Sequence, residues 1–177
     1  MIFYFRYVCP MEIRRLRKTD LQNFFECRLR ALKSSPSAFL ISYDEEKTKG
    51  ADHFLKSLEH DGNERAIFGA FAGGEIIGTL GIYREDHSRI NHKATIWGVH
   101  VDAGFRGQGV GRKLLKRALG FAKDEMGVLS VALSVESKNT PAQKLYASQG
   151  FKTWGTEPKA MRHEDLLLDE DHMIRFL

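Results

Sequence analysis

The segment VHVDAGFRGQGVGRKLLKRAL, Val99 to Leu119, places Gly107, Gly109 and Gly111 between a β-prone run and a helix-prone run, with Arg106 before them and Arg112 after. Such a turn aims several backbone N–H groups into one concavity, and the positive end of the following helix adds to their pull on an anion. Phosphate and pyrophosphate are the groups that nests of this kind hold. Glycine lets the backbone approach the anion closely, and the two arginines add charge. The spacing lacks the Gly-Lys-Ser/Thr end of a Walker A loop and the Gly-x-Gly-x-x-Gly of a dinucleotide fold. On these residues alone, a tight strand-to-helix turn flanked by solvated basic side chains is the alternative.

Other reactive residue types are sparse. Cys9 and Cys27 stand apart, with no C-x-x-C pair and no metal-ligand spacing around them, so no metal is expected and a reducing cytoplasm suits the chain. Lys and Arg number 27 against 23 Asp and Glu, a net charge of +4, too small a bias to call for nucleic acid, and no aromatic–basic interleaved surface is present. No apolar run approaches the roughly 18 residues of a membrane span. The apolar opening MIFYFRYVCP is broken by Arg6 and lacks the basic start and cleavage site of a signal peptide. Residues 1–10 read as an upstream extension or an added edge strand, and residues 11–177 as one domain, a monomer or homodimer.

The elements that must position the turn follow from pattern. A strand is expected from about Met11 to Leu16. Thr19 or Asp20 then caps a helix with Leu21, Phe24, Phe25, Leu29 and Leu32 at helical spacing, ended by Ser34, Ser35 and Pro36. Ser42 and Glu45 have capping-box spacing, Gly50 breaks the segment, and it closes at residues 60–63. RAIFGAFAGGEIIGTLGIYRE reads as a hairpin turning at Gly73 and Gly74. ATIWGVHVD is a further strand in which Gly98 marks a bulge or a close approach. The helix after the glycine turn sets Val110, Leu114, Leu115, Ala118, Phe121 and Ala122 against a basic face of Arg112, Lys113, Lys116, Arg117 and Lys123. VLSVALSV suits a central strand, Pro141 and Gly150 bracket a short helix, and the C-terminal segment reads as two more strands.

The run RGQGVG directly after GVHV, followed one strand later by NTPAQKLYASQGF, resembles the GNAT superfamily of acyl-CoA-dependent N-acetyltransferases. The family pattern Arg/Gln-x-x-Gly-x-Gly/Ala is met by Arg106, Gly109 and Gly111. The pattern Asn-x-x-Ala-x-x-Leu-Tyr-x-x-x-Gly-Phe is met at Asn139, Ala142, Leu145, Tyr146, Gly150 and Phe151. The resemblance implies an α/β (α+β) fold: a central mixed, mostly antiparallel sheet of about six to seven strands, flanked by helices and split at strands 4 and 5. It implies acetyl-CoA as co-substrate, its pyrophosphate on Arg106, Gly107, Gln108, Gly109, Val110, Gly111 and Arg112, and its pantetheine along Val99, His100 and Val101 and near Asn139 and Tyr146. The acceptor is a primary amine of a small molecule, protein or peptide, attacked without a covalent enzyme intermediate.

By the same resemblance the main-chain N–H near Val99 meets the developing oxyanion, and Tyr146 protonates the departing sulfur. The base departs from pattern. Many relatives carry a glutamate where this chain has Thr95, and the ribosomal-protein alanine acetyltransferases carry one where it has Ser134. Glu136 and His100 are the remaining candidates, acting directly or through water, and Glu45 and Glu46 are candidates to bind a cationic amine beside the acceptor pocket. The missing glutamates keep open a second class of function, a noncatalytic acyl-CoA-binding or regulatory domain.

Overall fold

The computed structural model describes residues 11–59 and 62–177. The segment read as an N-terminal extension lies outside them, as do residues 60 and 61. In chain order the elements are β1 (Glu12–Arg15), α1 (Leu21–Ser34), α2 (Tyr43–Lys49), α3 (Leu55–Glu59), β2 (Arg65–Ala72), β3 (Glu75–Arg84), β4 (Lys93–Val101), α4 (Val110–Gly120), β5 (Ser130–Glu136), α5 (Thr140–Ser148), β6 (Lys152–His163) and β7 (Leu166–Phe176). A π turn, Phe121–Met126, prolongs α4. The strands form one sheet in the order β1-β2-β3-β4-β5-β7-β6, antiparallel throughout except where β4 meets β5. The mixed, mostly antiparallel sheet flanked by helices is the architecture that the resemblance implies.

Local chemistry accounts for most boundaries. Ser42 accepts from the Glu45 amide while the Glu45 carboxylate accepts from Ser42 N at 2.8 Å, closing the capping box of α2. Gly50, at φ +74°, ends that helix, and Gly73 and Gly74 turn the β2–β3 hairpin with positive φ. Asp20 departs from its expected capping role. Its carboxylate accepts from Arg14 at 2.8 and 2.7 Å and from the Arg17 amide at 2.8 Å, because a bidentate guanidinium outcompetes one helix amide. The Arg14 hydrogen bonds hold the Asp20 carboxyl below its usual range.

The sheet separates two apolar layers. Leu114, Leu115 and Ala118 of α4, with Phe121, pack on Phe68, Leu80, Val131, Leu133 and Val135 on one face. Phe24, Phe54, Ile67 and Ile76 pack under α1 and α3 on the other, where Trp97 joins them. Two features of β4 shape what lies between. Thr79 pairs with His100 and Gly81 with Trp97, so Leu80 alone faces Gly98 and Val99, and the strand bulges at Gly98, φ +62°. β4 then pairs with β5 only through Lys93↔Ser130, Ala94↔Val131 and Thr95↔Ala132, while β5 stays paired with β7 as far as Glu136↔Glu170. Beyond Thr95 the two central strands part, and the sheet opens into a cleft. No helix among the described residues is long and apolar enough to cross a membrane.

Candidate active site

The glycine turn sits at the C-terminal mouth of this cleft. Gly107 and Gly109 hold φ of +74° and +78°, a region costly for residues with a side chain, and a Cβ on either would meet nothing within 4 Å. A side chain on either would project into open space, so the turn is open to an approaching anion. Gly109 caps α4, accepting from Lys113 N at 3.0 Å, and the amides of Val110, Gly111 and Arg112 lie in the first turn, where helix geometry leaves N–H groups without intrahelical partners. Gly111 has a different duty from its neighbours: a Cβ there would lie 2.9 Å from Leu145 Cδ2, so the residue lets α4 pack on α5. Arg106 donates through Nε to Val101 O at 2.9 Å and through Nη2 to Ser35 Oγ at 3.4 Å, tying the turn to β4 and to the end of α1. Gln108 Nε2 donates to Gly104 O at 2.9 Å and steadies the loop.

Val99 and Val101 pack toward the α4 layer, so their side chains line the wall between the bulge and the turn. His100 points the other way. It is 5% exposed, its Nε2 lies 2.9 Å from Asp102 Oδ1, and Asp102 in turn accepts from Arg30 at 3.0 Å. Burial pushes the His100 imidazole below its ordinary value, against the opposing pull of Asp102. Asn139 caps α5, its Oδ1 accepting from Ala142 N at 3.2 Å, which leaves its amide nitrogen without a partner among the described residues. Tyr146 buries its ring edge-to-face on Phe151, centroids 6.1 Å apart, and its hydroxyl has no hydrogen-bond partner among the described residues. Burial alone pushes that phenol up to about 12.

On the α1 side of the cleft, Glu136 Oε2 accepts from Ser37 Oγ at 3.0 Å, joining the end of β5 to the turn after α1. Glu45 is engaged in the α2 cap. Glu46 is 2% exposed, with Oε1 3.6 Å from Arg28 Nε and 3.4 Å from His53 Nε2. Glu46 is therefore turned inward, whereas Glu45 is exposed and commits only its Oε2 to the cap. The buried Arg28 guanidinium lies over the Phe39 ring at 4.9 Å and reaches the bulge, its Nη1 3.5 Å from where a Cβ on Gly98 would sit. Cys27 is fully buried, and burial pushes its thiol up to about 12, which suits a packing role. Among the described residues no group of three or more His, Cys, Asp or Glu side chains could hold a metal.

The model of the acetyltransferase (GNAT) family matches residues 23–151, well over half of the chain. The chain belongs to this family. Streptothricin acetyltransferase of Streptomyces lavendulae is 29% identical over 129 residues, 73% of this chain and 65% of that protein. N-alpha-acetyltransferase RimI of Mycobacterium tuberculosis is 35% identical over 94 residues, 53% of this chain and 56% of that protein. The chain thus spans less than two thirds of these curated relatives. Among solved structures, yncA from Salmonella typhimurium, determined with acetyl-CoA, superposes with a TM-score of 0.80 at 21% identity, covering 95% of this chain and 94% of that one. A GNAT-family acetyltransferase from Streptococcus pneumoniae gives 0.79 at 19% identity, covering 95% and 100%. At these identities the structural likeness concerns the fold.

For a GNAT-family chain, one cluster was invisible to motif and spacing. His172 on β7 lies with Nδ1 2.9 Å from Ser134 Oγ on β5 and Nε2 3.2 Å from Glu157 Oε2 on β6, under the stacked ring of Trp154. The three polar side chains come from three strands, and only the order β5-β7-β6 brings them together. The one sequence signal was Ser134 itself, at a position where some relatives carry a glutamate.

Proposed function

We propose that the protein transfers an acetyl group from acetyl-CoA to a primary amine of a small molecule or of a protein or peptide, by direct attack and without an acetylated enzyme. One observation carries the reading: a parted β4–β5 pair opens onto a turn whose two left-handed glycines face empty space. The residues fit the co-substrate. Gly107, Gln108, Gly109 and the first-turn amides of Val110, Gly111 and Arg112 would hold the pyrophosphate, with charge from Arg106 and Arg112. Val99, His100 and Val101 would offer main-chain groups to the pantetheine, joined by the free amide of Asn139. When bound, acetyl-CoA supplies an activated carbonyl beside the Gly98 bulge.

Within that frame the Val99 N–H steadies charge on the thioester oxygen. The raised Tyr146 phenol keeps its proton at neutral pH and donates to the departing sulfur, a role its otherwise partnerless hydroxyl suits. Residues 11–177 act as one domain in the reducing cytoplasm. The test is calorimetric titration of acetyl-CoA, followed by mass spectrometry of a primary-amine panel for N-acetyl products. Binding without any acetylated amine would favour a noncatalytic acyl-CoA-binding domain, and no binding would refute both.

A further inference from the structure

The proposal above leaves the acceptor's first proton without a destination. Most primary amines are ammonium ions at neutral pH, and only the neutral amine has the lone pair for attack. His100 is nearly sealed and bonded to Asp102, and Glu136 is bonded to Ser37. Thr95 donates to Glu85 Oε1 at 2.7 Å and has no basic function.

The cleft holds a better arrangement. Val131, Leu133 and Val135 face the α4 layer, so strand alternation turns Ser134 to the opposite face, two residues beyond Ala132, the last residue of β5 paired with β4. Its exposed hydroxyl lies where the two strands have parted. Behind it stands His172, partly open to solvent, bonded at both ring nitrogens and held flat by Trp154, whose ring plane lies 29° from its own. With the proton on Nε2 directed at Glu157, Nδ1 is free to accept from the Ser134 hydroxyl. The charged groups facing the ring are Glu157 from β6 and Glu170, two positions away on β7, while β5 contributes neutral Ser134, with Glu136 opposite Glu170.

We propose that His172 is the base of the acetyl-transfer reaction, receiving the acceptor's proton through the Ser134 hydroxyl and stabilised as imidazolium by Glu157; the assignment rests on the acetyl-transfer reading. The proton balance is complete. The ammonium gives one proton to Ser134 Oγ as Ser134 gives its own to His172 Nδ1, leaving a neutral amine. The amine nitrogen forms the bond to the acetyl carbon and the carbon–sulfur bond breaks. Tyr146 supplies a proton to the sulfur and is replenished by the second proton leaving nitrogen, while the third stays on the amide. His172 then returns its proton to solvent, on which its ring opens.

The test uses the full chain and four proteins: wild type, His172→Gln, Ser134→Ala and Glu157→Gln. Each is given acetyl-CoA and a panel of the common L-amino acids, spermidine and a hexapeptide with N-terminal alanine, and kcat/KM on the best amine is followed from about pH 6 to 9. Wild type climbs along an acidic limb to a plateau. His172→Gln falls about 10²- to 10⁴-fold at neutral pH and loses the plateau, its rate rising across the whole range with the fraction of amine that solvent has deprotonated. Glu157→Gln moves the limb to lower pH, because the imidazolium loses a carboxylate. A structural role for the cluster would move melting curves and leave the limb in place. Should His172→Gln fail to fold, the limb of Glu157→Gln decides. An unmoved limb in the folded variants, with rates within about threefold of wild type, overturns the assignment alone. Acetyl-CoA binding with no amine acetylated by wild type overturns the acetyl-transfer reading, and the assignment with it.

Discussion

Replacing Tyr146 by Phe removes one oxygen atom from a buried ring, and the geometry separates its effect on folding from its effect on turnover. The ring is 6% exposed and keeps its edge-to-face contact with Phe151 at 6.1 Å. No hydrogen bond is lost, because the hydroxyl has no partner among the described residues, so stability should change by less than about 1 kcal/mol, a melting shift within about 2–4 °C for a chain of this size. Acetyl-CoA affinity should hold within about threefold, since the proposed cradle would grip phosphates and pantetheine elsewhere. Turnover should fall by about 10²- to 10³-fold, the loss of a positioned acid, equivalent to about 2.7–4 kcal/mol of barrier. The assay is single-turnover acetyl transfer on the best amine of the panel, which excludes product release as the slow step, alongside a melting curve and a titration with acetyl-CoA. A folded Phe variant within about threefold of wild type in the single-turnover rate would refute the assignment of Tyr146 as the acid.

The same phenol sets an expectation for alkali: with burial holding it up to about 12 rather than 10.0, kcat/KM should stay on its plateau through about pH 10, and a fall near the ordinary phenol value would contradict this. The turn glycines should divide by duty. Gly109→Ala forces a left-handed non-glycine residue and should weaken acetyl-CoA binding at least about tenfold in a folded protein, whereas Gly111→Val drives a side chain into Leu145 and should cost about 1–3 kcal/mol in denaturant unfolding. Indistinguishable behaviour of the two would dissolve the distinction. Glu46→Gln strands the Arg28 guanidinium and should destabilise the fold by about 3–5 kcal/mol, with Arg28→Met added to Glu46→Gln recovering much of the loss. Equal stability of all three proteins by chemical denaturation would show that the pair carries no weight.

What was legible in the chain is what neighbours in sequence decide. Gly73–Gly74, Ser42 with Glu45, Gly50 and Pro141 signal turns and caps through backbone geometry that needs no distant partner, and each acts as its type dictates. The bulge at Gly98 and the turn at Gly107 and Gly109 were legible for the same reason. Duties that depend on packing were hidden. Gly111 looks like its two neighbours until α5 brings Leu145 against it. Asp20 reads as a helix cap until Arg14, on β1, claims the carboxylate. Glu46 reads as a candidate to bind a cationic amine, yet Arg28 of α1 holds it beneath the surface. His172 carried no signal, because Ser134 is 38 residues away and Glu157 reaches the ring only through the register of the last hairpin.

The parting of β4 from β5 also bears on how the molecule behaves when crowded. A continuous sheet exposes its ladder only at two outer strands, whereas here two further rows of backbone donors and acceptors face each other across a gap inside the sheet. Such rows recruit any extended chain of amides, and a strand from another polypeptide satisfies them as readily as a small molecule does. The co-substrate proposed above, with amides along its length, would cover that seam and keep such a strand out.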